Sequence, residues 1–117
     1  MRGAAAAGCV ALAVLAGCAA PVPDRPPLLP AEQGLDVGGT GLEIGFGRTE
    51  ASTIDAVAYL LGGPPDSRGP APGCPGRVAR WAADGLTLYF TDGDFDGWAW
   101  RGADGGLRSA GRVCAAA

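Results

Sequence analysis

The sequence contains no histidine and no lysine: all nine basic residues are Arg, against twelve Asp plus Glu, for a formal net charge of −3. Without His, neither a Ser–His–Asp triad nor an imidazole general base is available, and zinc sites that need a His ligand are excluded. Without Lys, Schiff-base chemistry and the lysine of a phosphate-binding P-loop are excluded as well. The chain has no block of basic residues, so the phosphate neutralisation on which nucleic-acid binding rests is missing, and no nucleic-acid partner is expected. With 117 residues there is room for one domain.

What is present begins with a short apolar run. Behind Arg2, residues 3–17 are apolar or small throughout, fewer than the roughly 20 residues that a membrane-spanning helix needs. A charged start followed by an apolar stretch of this length describes a secretory signal peptide over residues 1–17. The run closes on Leu15-Ala16-Gly17-Cys18, which resembles the lipobox of bacterial lipoproteins. That resemblance implies cleavage before Cys18 and lipidation of its thiol, with small Ala16 and Gly17 giving the protease access. Two or three acyl chains, at about 0.8 kcal/mol per buried methylene, anchor a protein to a membrane without a spanning helix. Ala19 and Ala20 follow, with no Asp after the Cys. By resemblance to enteric lipoproteins, this implies the outer membrane, with the domain facing the periplasm.

Residues 18–34 read as the lipidated Cys and a proline-rich tether. Five prolines fall between Ala19 and Gly34, which leaves neither helix nor strand a continuous ladder of donors. Fully extended, such a segment spans about 50 Å.

Residues 35–117 then make a small domain, close to the size at which a hydrophobic core needs a covalent staple. Cys9 leaves with the signal and Cys18 takes lipid, so Cys74 and Cys114 remain, in an oxidising compartment, as the expected disulfide. Alternation of Leu42, Ile44 and Phe46 predicts a strand. Thr49 is an expected N-cap, and Ile54, Val57, Ala58 and Leu61 form one apolar helical stripe ended by Gly62-Gly63 and Pro64-Pro65. Residues 66–76 read as loop. Further strands are expected at Arg77–Ala82, Leu86–Thr91, Trp98–Arg101 and Leu107–Cys114, with turns at Asp84-Gly85 and Asp104-Gly105-Gly106. The expected fold is α+β: one amphipathic helix packed on an antiparallel meander of four to five strands, stapled by the disulfide.

Three patterns bear on chemistry. Asp92-Gly93-Asp94-Phe95-Asp96-Gly97 matches D-x-D-x-D-G, the first half of a calcium loop, but the twelfth position is Ala103 where a bidentate Glu belongs. A hairpin turn is the preferred reading of this segment; a calcium-dependent binder or small enzyme built on it is the alternative. Trp98 and Trp100 share a strand face with Trp81 nearby, and with Arg77, Arg80 and Arg101 they read as either core edge or binding surface, the core being favoured. Tyr89, Arg80 and Arg101 are the candidate binding residues. Gly38-Gly39-Thr40-Gly41 has neither the lysine nor the spacing of a nucleotide loop. No catalytic residues, metal ligands or cofactors are assigned, and the oligomeric state is not encoded in these patterns.

One broader resemblance covers much of the domain. Ile44-Gly45-Phe46-Gly47, a helix from near Thr49 to Leu61-Gly62-Gly63-Pro64, and a sheet containing Leu86–Phe90 and Gly97-Trp98 are loosely similar to the small lipoprotein of the outer-membrane barrel-assembly machinery and to β-lactamase-inhibitor-like domains. The resemblance implies a protein that acts by contact with an envelope protein partner and not by catalysis. That family has two adjacent helices before its sheet, and the present sequence predicts one.

Overall fold

A computed structural model describes residues 25–114; the expected signal peptide, Cys18 and the first part of the tether lie outside the described residues. Helix α1 runs from Glu50 to Leu61, and its own sequence sets both ends. The Thr49 hydroxyl accepts from the Ser52 N–H at 3.3 Å, and Gly62 closes the helix in the left-handed conformation at φ 87. Ile54 and Val57 of the expected stripe are buried, while Ala58 and Leu61 pack half-buried against the core. Thr53 is fully buried as well, its hydroxyl donating to the Thr49 carbonyl at 2.7 Å.

Around this helix the strands form two antiparallel sheets. The smaller consists of β1 (Leu28–Ala31), β2 (Gly34–Val37) and β3 (Leu42–Gly45) in that order. The larger is a meander of β4 (Ser67–Pro70), β5 (Arg77–Trp81), β6 (Leu86–Thr91), β7 (Asp94–Arg101) and β8 (Leu107–Gly111), each strand paired with the next. The fold is thus α+β, with one helix, an antiparallel meander and the disulfide as expected, but the strand at Leu42–Gly45 belongs to a second sheet and the meander takes β4 as its fifth strand.

Three strands that the sequence pattern does not predict, β1, β2 and β4, account for the difference. Residues 28–34, read as the end of the tether, instead form β1 and the Glu32-Gln33 turn into β2. Pro30 is tolerated because β1 is an edge strand. The Gly38 N–H donates to the Pro27 carbonyl at 2.8 Å, so the bonded positions of β1 are 27, 29 and 31. Pro30 opposite Leu35 therefore stands where a backbone N–H would point away from the sheet. The third unforeseen strand, β4, lies in the Gly- and Pro-rich stretch read as loop, and like β1 it is an edge.

Alternation fixes how the layers stack. Leu28, Leu35 and Ile44 point from the small sheet onto Phe95 and Trp98 of the large one, and α1 adds Ile54 and Val57 to the same cluster. From β5 and β6, Ala79, Trp81, Leu86, Leu88 and Phe90 complete it. Two of the three Trp are core residues, at 4% exposure for Trp81 and 2% for Trp98. Their indole N–H groups are satisfied by distant carbonyls, Trp81 by Gly63 at 2.9 Å and Trp98 by Ala31 at 3.1 Å. The first bond ties the end of α1 to the large sheet, and the second ties the small sheet to it. Among the described residues, no helix is long and apolar enough to cross a membrane.

Candidate functional site

Because α1 and the small sheet cover one face of the meander, its other face looks outward. Strand register determines what that face carries. Arg80 is opposite Thr87, Thr87 opposite Ala99, and Ala99 opposite Ser109. The next row runs Val78, Tyr89, Gly97, Gly111. Arg101 pairs with Leu107 at the far end. Arg80, Thr87, Tyr89, Ala99, Arg101 and Ser109 line one open depression of about 640 Å³. The three candidate binding residues, Arg80, Tyr89 and Arg101, are thereby brought onto a single surface. Arg77 is not part of it: odd residues of β5 face the helix.

One end of this outward face is closed by the disulfide. Cys74, in the β4–β5 loop, bonds to Cys114 beyond β8, with their Cα atoms 6.2 Å apart, inside the usual range for a disulfide. The bond joins segments from opposite edges of the sheet and crosses above Tyr89, which is only 8% exposed despite its outward position. Backbone from Arg112 onward passes so close to Gly97 that a Cβ there would collide with the Arg112 carbonyl. A hollow of about 210 Å³ remains beside the disulfide, bounded by Tyr89, Phe90, Asp96 and Arg112 among others.

The Asp-rich segment is a hairpin. Asp92 and Gly93 are its two turn residues, both at positive φ (52 and 85), as the right-handed twist of the flanking strands demands. Asp94 and Asp96 belong to β7, separated by the fully buried Phe95. The register slips between Tyr89 and Phe90, leaving Asp96 as the extra residue of a bulge. Its Oδ2 approaches Arg112 Nε at 3.5 Å, and its Oδ1 has no hydrogen-bond partner. Among the described residues, no group of three or more His, Cys, Asp or Glu is placed to hold a metal ion.

A charged cluster that sequence reasoning missed lies on the opposite side of the sheet. Glu50, the first residue of α1, is 9% exposed and receives Arg68 Nε and Arg77 Nε, each at 3.1 Å. The carboxylate joins β4, β5 and the positive end of α1, so its charge is compensated three ways. By local sequence Glu50 does no more than complement the helix dipole. Its Arg partners lie 18 and 27 residues away, beyond any local spacing rule.

Comparison with protein-family models, curated proteins and solved structures finds no match to this chain.

Proposed function

We propose that this chain is a cell-envelope lipoprotein, anchored through Cys18 and acting by non-catalytic contact with an envelope protein. The observation that carries the proposal is Leu15-Ala16-Gly17-Cys18 at the end of an apolar run headed by Arg2. The outer membrane, with the domain facing the periplasm, is the proposed address, since no Asp follows Cys18. Two structural features support a contact role. The exposed Arg80 and Arg101 flank a depression with Thr87 and Ser109 hydroxyls between them. Among the described residues the two most buried carboxylates, Glu50 and Asp96, each face Arg side chains, an arrangement suited to holding structure and not to proton transfer.

Intact mass spectrometry of the chain expressed in a bacterium tests the anchor. The wild type is expected to begin at Cys18 with added diacylglyceryl and acyl mass, and to fractionate with membranes. Cys18→Ser is expected to carry no lipid. A wild-type product without lipid mass contradicts the proposal.

A further inference from the structure

Among the described residues each sheet ends in two edge strands, and three of the four edges are blunted. β1 contains Pro30, and β4 ends in Pro70. β3 is four residues long and carries Glu43. The fourth edge, β8, has five residues, no proline and no acid: Leu107, Arg108, Ser109, Ala110 and Gly111. All but Ala110 are exposed, Leu107 at 61%.

Hydrogen-bond parity shows which backbone groups this edge offers. Gly102 N–H donates to the Gly106 carbonyl at 2.8 Å, and Arg112 N–H donates to the Asp96 carbonyl at 2.7 Å. With the register Trp100–Arg108 and Trp98–Ala110 between them, even-numbered residues of β8 are bonded to β7. The N–H and C=O groups of 107, 109 and 111 point to the open side. Among the described residues, no backbone or side-chain group bonds to them. The side chains of Leu107 and Ser109 lie on the outward face and border the depression that contains Arg80 and Arg101, and Gly111, at φ 70, ends the strand.

Cations stand on both faces of this edge. Arg101 lies beside β8 on the outward face and Arg108 alternates to the other, both without a carboxylate partner among the described residues. Of the acids on neighbouring segments, Asp96 faces Arg112, while Asp104, in the turn before β8, accepts the Gly106 N–H at 2.8 Å and keeps its charge. An open proline-free edge flanked on both faces by cations, in a protein with net negative charge, selects an extended segment rich in carboxylates. Pairing with a second copy would set Arg108 of one β8 near Arg108 of the other, a repulsion that edges use against self-association.

We infer that β8 takes up an acidic, extended segment of a protein partner by strand addition, its backbone bonding to residues 107, 109 and 111 and its carboxylates meeting Arg101, Arg108 and Arg80. This rests on the protein-contact reading above and names the chemistry of the partner.

The test uses the purified full chain and two synthetic ten-residue peptides, one alternating Glu with Val and Thr, the other with Arg replacing each Glu. The acidic peptide is expected to bind and to slow amide exchange at Leu107, Ser109 and Gly111. Arg101→Glu with Arg108→Glu is expected to weaken it by about tenfold or more. Ser109→Pro removes an outward N–H without touching the β7 ladder; it is expected to abolish binding with an unchanged melting temperature. No binding, equal binding of the Arg peptide, or protection confined to another edge overturns the inference. So does a concentration-dependent dimer that Ser109→Pro dissolves, which assigns the edge to self-pairing. A photo-crosslinker at Thr87 in intact cells separates the two levels: a protein adduct there with no peptide binding defeats strand addition alone, whereas failure of both defeats the contact reading too.

Discussion

Gly97 holds the outward face in its observed shape. Its missing side chain lets the chain from Arg112 to Cys114 cross β7 at backbone distance, which in turn positions the disulfide above Tyr89. Ala at this position meets the Arg112 carbonyl, a backbone atom unable to swing aside as a side-chain tip would. Gly97→Ala is therefore expected to cost about 3 kcal/mol or more through overpacking, or to displace the crossing. Chemical denaturation together with thiol titration distinguishes these: displacement exposes free thiols in the folded protein. A fully stable, oxidised Gly97→Ala would show that the crossing is not held by this contact. Nothing local announces the role of Gly97, because the strand it sits in reads equally well with Ala. Glu50 is similar: its neighbours Thr49 and Ser52 mark a helix start, but Arg68 and Arg77 reach it only through the fold. Residues whose function is local, such as Thr49 and Gly62, are legible; those whose partner is distant are not.

Among the elements, α1 and the hairpins were readable because each is specified by short-range chemistry. A cap, an apolar stripe and a left-handed glycine define the helix within a dozen residues. Asp92-Gly93 defines a two-residue turn, and β7 accordingly starts at Asp94, four residues before the expected strand. β1 and β4 were hidden by the prolines that protect them as edges, since a proline disqualifies a central strand but suits the solvent side of an outer one. The disulfide acts at this scale by joining the two ends of the meander. It closes 40 residues of chain, and on the chain-entropy account this contributes about 4 kcal/mol. Cys74→Ser with Cys114→Ser is expected to lose stability of that order in denaturant titration. The helix should melt together with the sheet, since both share one core. A loss below about 1 kcal/mol would mean that the reduced chain already holds its ends together, the residual denatured-state order that weakens such staples.

Taken as a whole molecule, the fold gives opposite tasks to the two faces of one sheet. The inner face, with Trp81, Trp98 and Phe95, binds α1 and the small sheet and leaves little for recognition. The outer face is lined by small residues, hydroxyls and two Arg that have no carboxylate partner among the described residues. That Arg80, Tyr89 and Arg101 share this face follows from the register of β5, β6 and β7, which hydrophobic alternation alone could suggest but not align. Of the small sheet only β3 was legible, for a related reason: neither β1 nor β2 carries enough alternating residues to stand out, and both pack onto the core that holds Trp98 and Phe95. The amino-terminal Leu15-Ala16-Gly17-Cys18, by contrast, is a linear signal whose meaning depends on no fold.

The central claim is that the outward face is a docking face in the envelope. Site-specific photo-crosslinking in intact cells addresses it directly, with the probe placed at Thr87 on that face or at the exposed Asp55 on α1. The account predicts a discrete protein adduct from position 87 that disappears with Arg80→Glu and Arg101→Glu, and none from position 55. Equal labelling from both positions, or an adduct at 87 indifferent to the two Arg substitutions, would contradict it.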